Sequence, residues 1–432
     1  MYFEVFNLQL SPACVRRCTS IACLGVDFMA ESVRALLDTS GWAHIPVYRL
    51  SEKAIGCSLA ESAELPAYRA WLEKAAKTPK SLHVVYINTS IVTKAESQKL
   101  VPTITCTSSN VVQTILQAFA QVDELTVWYG PDTYMGENLR TLFETVAQMD
   151  DAQIAALHPL HTRATVRALL PRLEVFPQGN CVVHHMFGES VAEQCRREYG
   201  DAYHTAHLEV PGEMFGVANA AAAQGRGVVG STSNILNFIV NKTKAALESD
   251  VKGTNSSKDA GEKLVFVLGT EAGMVTPIVR QVESLLAAHP NSGVSVEIVF
   301  PVAAEAVAPQ EGEDAAGGLS VVPGAGGSEG CSTAGGCATC PYMKMNSLEA
   351  LVDLAAKVEL DSTSSSSSSA NGSSEAKQGH GQQLEGFLPR RRGAKVDGRP
   401  AAELGTLPIL HMRDLSRTGE LPPALVKDLL TR

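Results

Sequence analysis

Cysteine is the residue type in this sequence best able to do chemistry, with ten copies at positions 14, 18, 23, 57, 106, 181, 195, 331, 337 and 340. Ten thiols in 432 residues are too sparse for a disulfide scaffold. The first residues make a poor signal or transit peptide, because Glu4 and Asn7 interrupt a weak apolar stretch and no small-residue cleavage site follows. The cysteines therefore read as thiols of a reducing compartment, some of them metal ligands or catalytic groups. Cys337-Ala338-Thr339-Cys340 is a C-x-x-C, a spacing that serves zinc, a redox pair or an iron–sulfur cluster. Zinc needs a second pair, which Cys14 and Cys18 do not supply at matching spacing. A thioredoxin-like pair should open a helix after a strand, whereas Gly335-Gly336 precedes this one and Pro341 follows it. On its own the pair leaves all three chemistries open.

A second set of candidates stands where strands give way to helices. Tyr86-Ile87-Asn88-Thr89-Ser90 follows one strand pattern, and Thr107-Ser108-Ser109-Asn110 precedes a helical one. Gly230-Ser231-Thr232-Ser233-Asn234 and Gly269-Thr270-Glu271-Ala272-Gly273 occupy equivalent places. Any one of them reads as a helix cap. Four together point to amide N–H groups, hydroxyls and positive dipole ends converging on a small multi-carboxylate or phosphate ligand.

The elements that must position these residues alternate. Strands are expected at Leu82–Tyr86, Leu125–Trp128, Cys181–His184, Val228–Val229, Leu264–Leu268 and Val294–Phe300. Helical spacing runs through Leu139, Leu142, Phe143 and Val146, and through Val275, Ile278, Val279, Val282 and Leu286. Strand–helix alternation predicts an α/β fold of parallel sheets covered on both faces, with ligands beyond the carboxyl ends of the strands. A net charge of -10 argues against holding nucleic acid or an anionic membrane by bulk charge. No apolar run approaches the ~18 residues of a membrane span. Arg390-Arg391-Arg392, the one dense basic run, reads as a solvated segment of a polar tail. Residues 301–330 read as a loop or insertion, Gly253–Gly261 as a surface loop, and Asp361–Gln383 as flexible on composition.

Taken in order, several motifs resemble quinolinate synthase, most closely its plastid form in plants and green algae. They are Gly56-Cys57-Ser58-Leu59, Tyr86–Ser90, Thr107–Asn110, Gly130-Pro131-Asp132, Cys181-Val182-Val183-His184 and His207-Leu208-Glu209. Gly230–Ser233, Thr270–Gly273 and Gly336–Asn346 complete the set, which covers about Leu24 to Ala355. The resemblance implies three α/β/α domains in pseudo-threefold arrangement around a central [4Fe–4S] cluster, with Cys57, Cys181 and Cys340 as its ligands. It implies condensation of iminoaspartate with dihydroxyacetone phosphate to quinolinate, phosphate and water in NAD biosynthesis. Tyr86, Asn88, Ser108, His207, Glu209 and Thr232 match positions that bind substrate; among them Glu209, Tyr86 and His207 are the expected catalytic groups. Aspartate oxidase would supply the iminoaspartate, the location would be the plastid (otherwise the soluble cytoplasm), and a homodimer is favoured. Cys106 and Cys195 read as buried thiols, Asp132 as a turn or cap residue, Met343 and Met345 as packing beside the cluster, and Lys344 as a weaker phosphate candidate.

On this reading the chain divides at 1–80 (remnant first domain), 81–180 and 181–300 (second and third domains), 301–330 (insertion), 331–355 (cluster segment), 356–406 (low-complexity linker) and 407–432 (tail). The family's opening His-x-Tyr and Asp-Ser segments, and the plastid form's sulfur-transfer domain, find no match before Leu24. The expectation is a truncated isoform or an incomplete gene model, whose Val26–Ile55 region packs poorly and whose turnover is low. A catalytically incomplete fragment that keeps its cluster ligands and a structural zinc module are the alternatives. Cys331 and Cys337, both in a Gly-rich segment beside Cys340, are candidates for a regulatory disulfide.

Overall fold

The computed structural model describes residues 18–251, 262–302, 319–323, 340–367 and 381–432. Cys14, Cys331, Cys337 and the Gly253–Gly261 segment lie outside the described residues. The chain forms two compact units, one from residues 1–105, 121–131 and 341–432, the other from 106–120 and 132–340.

The second unit is built on a five-stranded parallel sheet. Its order is Leu319–Pro323, Ser295–Phe300, Lys263–Gly269, Tyr203–His207, Gly227–Gly230. Phe266, Val267 and Leu268 are buried in succession, as are Ile298, Val299 and Phe300, the continuous apolar run of strands covered on both sides. The flanking helices Gly212–Ala223 and Val275–Ala287 bury Met214, Phe215 and Ala218, and Ile278, Val282 and Leu286. Strand Tyr203–His207 is followed in sequence by Gly227–Gly230 on one side and by Lys263–Gly269 on the other. The winding reverses there, and the crevice at the carboxyl ends of these strands is where such sheets hold ligands.

In the first unit, Thr103–Cys106, Ser81–Tyr86 and Thr126–Gly130 are neighbouring strands, the last two parallel. Ile21–Cys23 pairs in parallel with Val47–Arg49, and helix Asp27–Thr39 joins them. Phe28, Met29, Val33, Leu37, Val47 and Ile55 form a buried core against which Tyr342, Met343 and Met345 pack. Val26–Ile55 is thus well packed, contrary to expectation, because a segment some 300 residues later in sequence covers it.

Four further expectations are corrected. Cys181–His184 is not a strand: the chain turns there and His184–Met186 forms a 3-10 turn. Residues Leu319–Pro323, inside the expected insertion, add a strand to the second sheet. Leu384 and Phe387, assigned by composition to a linker, are buried against Tyr48, Leu50 and Leu354. The basic run is docked through Arg391, while Arg390 and Arg392 remain nearly half exposed. Arg391 pairs with Glu31 at 3.0 Å and Glu64 at 2.7 Å, Arg390 approaches Asp27, and Arg392 pairs with Glu385. Beside them the buried Arg49 binds the Asp27 carboxylate at 2.9 Å and donates to Gly386 O and Leu388 O. Low sequence complexity failed as a guide because a few apolar and charged residues suffice to anchor a chain to a ready-made surface.

His83, central in strand Ser81–Tyr86, is fully buried, with Nε2 2.8 Å from the Tyr68 hydroxyl. Burial lowers its pKa to about 3. With the folded pKa below the unfolded value, the stability His83 contributes is complete above pH ~6.5 and is lost as pH falls towards 3. Replacing His83 with Gln should therefore narrow the difference between denaturation midpoints measured at pH 7 and at pH 5. An unchanged difference would contradict this.

Candidate active site

The carboxyl end of strand Tyr203–His207 carries His207, Leu208 and Glu209. His207 and Glu209 are both buried. Two anchors set this turn. Leu208 N donates to Gly230 O of the neighbouring strand at 3.1 Å. Asn138, buried on helix Thr133–Val146, donates from Nδ2 to Leu208 O at 2.9 Å and Val210 O at 2.7 Å.

Facing Glu209 is the Cys181 turn. His185 N donates to Cys181 O, closing one helical turn that carries His184 inward. The His184 Nδ1 and Glu209 Oε2 atoms are 3.0 Å apart, a contact whose angle makes it electrostatic rather than a hydrogen bond. The His184 and His207 rings stack with centroids 4.9 Å apart. One ligand atom from each of Cys181, His184 and Glu209 falls within 4.8 Å of the others, a grouping able to hold a metal ion. Thr270 Oγ1 lies 3.4 Å from His184 Nε2.

Electrostatics sharpen the picture. Burial lowers the pKa of His207 to about 4, with Glu209 opposing the shift, so the imidazole is neutral at pH 7. Its Nδ1 accepts from Glu209 N at 3.3 Å, which places the ring proton on Nε2. Among the described residues that Nε2 has no hydrogen-bond partner, which leaves it a buried neutral donor. Asp132 caps helix Thr133–Val146 through Oδ1, 3.0 Å from Met135 N, as the sequence reading held. It is also wholly buried, and burial followed by the charge of Glu209 raises its pKa well above the usual carboxylate range. Burial likewise raises Glu271, with Glu209 adding to the shift and His184 opposing it. Three acids and two imidazoles in one dry region suit general acid–base work.

Two helix starts in the same unit share one device. Asn110 Oδ1 accepts from Thr107 N at 2.7 Å, and Asn234 Oδ1 accepts from Ser231 N at 2.9 Å and from Ser231 Oγ. A Cβ on Gly230 would meet Asn234 Oδ1 at 2.7 Å, so only glycine admits that arrangement. In the first of these turns Ser108 Oγ is buried and has no hydrogen-bond partner among the described residues. Thr232, also buried, begins helix Thr232–Val251.

The first unit holds the remaining candidates. Tyr86 ends its strand, and the loop after it is closed by Thr89 Oγ1 donating to Tyr86 O at 3.0 Å. Lys94 Nζ donates to Ile87 O at 3.0 Å and contacts Thr89 O, tying the loop that carries Asn88. Cys57 precedes helix Ser58–Ser62 and lines a cavity of about 150 Å³ with Gly56, Ser90, Arg390 and Arg391.

Among the described cysteines, Cys18, Cys57, Cys181 and Cys340 are part-exposed. Cys23, Cys106 and Cys195 are buried, the last two as expected, and burial pushes the thiol of Cys106 well up, that of Cys23 to about 11 and that of Cys195 to about 12. Metal ligation requires a thiolate, so the part-exposed positions are compatible with ligation, although exposure alone does not choose among the four.

The family described as "Quinolinate synthetase A protein" (NadA) matches residues 7–288. The chain belongs to this family. It is 48% identical over 422 residues to the chloroplastic quinolinate synthase of Arabidopsis thaliana, a match covering 96% of this chain and 55% of that one. To the chloroplastic enzyme of Oryza sativa subsp. japonica it is 46% identical, covering 96% and 56%. To the quinolinate synthase of Sulfurisphaera tokodaii it is 28% identical over 258 residues, covering 60% and 61%. The chain thus spans about half the length of the plant relatives it matches.

Sequence reasoning missed His184 as a functional group, although Cys181-x-x-His184 is a spacing that puts both on one turn. It gave Asp132 only its capping role. Asn138 gave no signal beyond a polar residue on the otherwise apolar Met135–Leu139–Phe143 face. Replacing Asn138 with Ala leaves two buried carbonyls without their donor and should cost about 1–3 kcal/mol. Chemical denaturation should show the loss, and amide exchange should accelerate at residues 207–210. Unaltered exchange there would refute the anchoring role.

Proposed function

We propose that the chain acts as a quinolinate synthase, condensing iminoaspartate with dihydroxyacetone phosphate and releasing phosphate and water. The observation that carries the reading is the buried His207–Glu209–His184 group beside part-exposed Cys181, in a chain of this family. Cys57, Cys181 and Cys340 are the proposed thiolate ligands of a [4Fe–4S] cluster, whose iron left without a protein ligand would supply Lewis acidity when the cluster is bound.

The chain's own groups account for the rest. The His207 Nε2–H and the Ser108 hydroxyl donate to substrate carboxylates, and neither has a hydrogen-bond partner among the described residues. Thr232, at a helix start, adds a further hydroxyl donor. Glu209 takes a proton from one carbon or nitrogen centre and returns it to a leaving hydroxyl. Burial, with the charge of Glu209, raises the pKa values of Asp132 and Glu271 and so favours their protonated forms beside Glu209. Tyr86 and Asn88 are proposed to contact substrate from their loop, Tyr86 donating to a developing oxyanion. The plant relatives are named chloroplastic, and a plastid location is proposed for this chain on that basis. Aspartate oxidase as supplier of iminoaspartate, and a homodimer, complete the proposal. Among the described residues no helix is long and apolar enough to cross a membrane.

One observation favours a second reading, a single zinc-type ion. Cys181, His184 and Glu209 alone offer a thiolate, imidazole and carboxylate set. Metal analysis of anaerobically prepared protein separates the two, since a cluster brings several irons and visible absorbance and zinc brings neither. Cys57→Ser, Cys181→Ser and Cys340→Ser should each lose iron loading, while Cys106→Ser and Cys195→Ser load like the parent. Full iron in Cys340→Ser would remove that residue from the ligand set. With loading intact, Glu209→Gln should lower quinolinate formation about 10²–10⁴-fold, the range of general acid–base contributions.

A further inference from the structure

The C-terminal residues 384–432 lie beyond position 288, where the family match ends, and they are part of the first unit. Among their several contacts there, two lines meet at Ile91, the first residue of helix Ile91–Leu100. That helix directly follows the Tyr86–Ser90 loop.

One line of contact is charged. Arg391 Nη1 is 3.0 Å from Glu31 Oε1, and Glu31 Oε2 accepts from Ile91 N at 3.1 Å. The Glu31 side chain is 1% exposed, so its charge depends on these partners. The guanidinium is itself oriented by Glu64 through its second nitrogen, 2.7 Å from Oε1 and 2.9 Å from Oε2. The other line is steric. Helix Ala401–Thr418 presents Gly405 to Ile91 so closely that a Cβ there would collide with Ile91 O. Val396 and Ala401 pack with Ala95 one turn further on. The N–H of Ile91 is therefore tied to the C-terminal residues through Glu31, and Gly405 packs closely against its C=O. From the helix so fixed, Ser90 accepts from Thr93 N at 3.2 Å, and Lys94 reaches back to the carbonyls of Ile87 and Thr89.

We propose that the segment 384–432 is a positioning arm for the Tyr86–Ser90 loop, with Arg391 the positioning residue that acts through Glu31. The consequence for substrate binding rests on the proposed function of Tyr86 and Asn88. The mechanical link from arm to loop does not.

The test uses the full chain and two readouts. Amide exchange by mass spectrometry, comparing the parent with Arg391→Met, Arg391→Lys and Arg392→Met, reads the mechanical link. Arg391→Met removes a charge-assisted bond to a buried carboxylate and should speed exchange in residues 87–94 by about tenfold. Arg391→Lys, which keeps the charge but not the two-pronged geometry, should fall between it and the parent. Arg392→Met, at an exposed pair with Glu385, should leave residues 87–94 at the parent rate. Acceleration confined to residues 384–400 in both Arg391 variants overturns the proposal, as does an equal effect from Arg392→Met. If Arg391→Met unfolds, the graded response of Arg391→Lys decides. Steady-state kinetics then read the substrate link: a raised KM for iminoaspartate with kcat changed less supports it. Accelerated loop exchange with no change in KM would leave the arm's mechanical role standing and remove Tyr86 and Asn88 from the substrate contacts.

Discussion

A carboxylate that must stay buried and chemically responsive sets the terms for the second unit. Glu209 sits out of water beside two imidazoles and within electrostatic reach of Asp132 and Glu271. Burying three full negative charges together would cost far more than the fold can supply. The solution visible here is division of charge: Asp132 and Glu271 are held towards their protonated forms, and His207 is held neutral. Such a set keeps donors and acceptors of different strength within a few ångströms, and the surroundings rather than the residue types assign them. The reversal of winding in the sheet, the Asn138 anchor and the glycine at position 230 all serve to keep that set in register.

The first unit solves a similar problem by pairing. Asp27 and Glu31 are buried on a helix that is covered on nearly every side. Each meets a guanidinium, Arg49 and Arg391 respectively, and each guanidinium also touches a further part of the chain. Such pairs add little net stability, but they are unforgiving of misplacement and so specify how the C-terminal residues dock.

Much of this was readable beforehand, and the limits are physical. The parallel strands were legible because apolar β-branched runs between helical periods have few other uses, and the Ser108 and Thr232 helix starts because hydroxyls before an apolar periodic stretch mark N-termini. The Cys181 turn was misread as a strand because Cys-Val-Val looks β-prone, and only the packing of His184 against Glu209 explains the tight turn. Asp132 was seen as a cap, which it is, yet burial and the charge of Glu209 are properties of three-dimensional neighbours. The role of Arg391 was hidden for the same reason: its partners are Glu31 and Glu64, more than 300 residues away in sequence. Composition describes a segment's solubility by itself, and says little about a segment that finds a surface waiting.

The interleaving of the two units carries a consequence for the order of events on the ribosome. Residues 106–120 and 132–340 make one unit, while the other draws on residues at both ends of the described chain. The second unit has all its strands once position 323 has emerged, and can collapse while synthesis continues. The first cannot close: helix Asp27–Thr39 waits with Glu31 and a broad apolar face uncovered until residues 342–345 and 384–405 are made. At typical elongation of about 5–20 residues per second that interval lasts tens of seconds. In a nascent chain of this architecture the N-terminal region therefore stays uncovered longer than the middle, the reverse of the usual vectorial order.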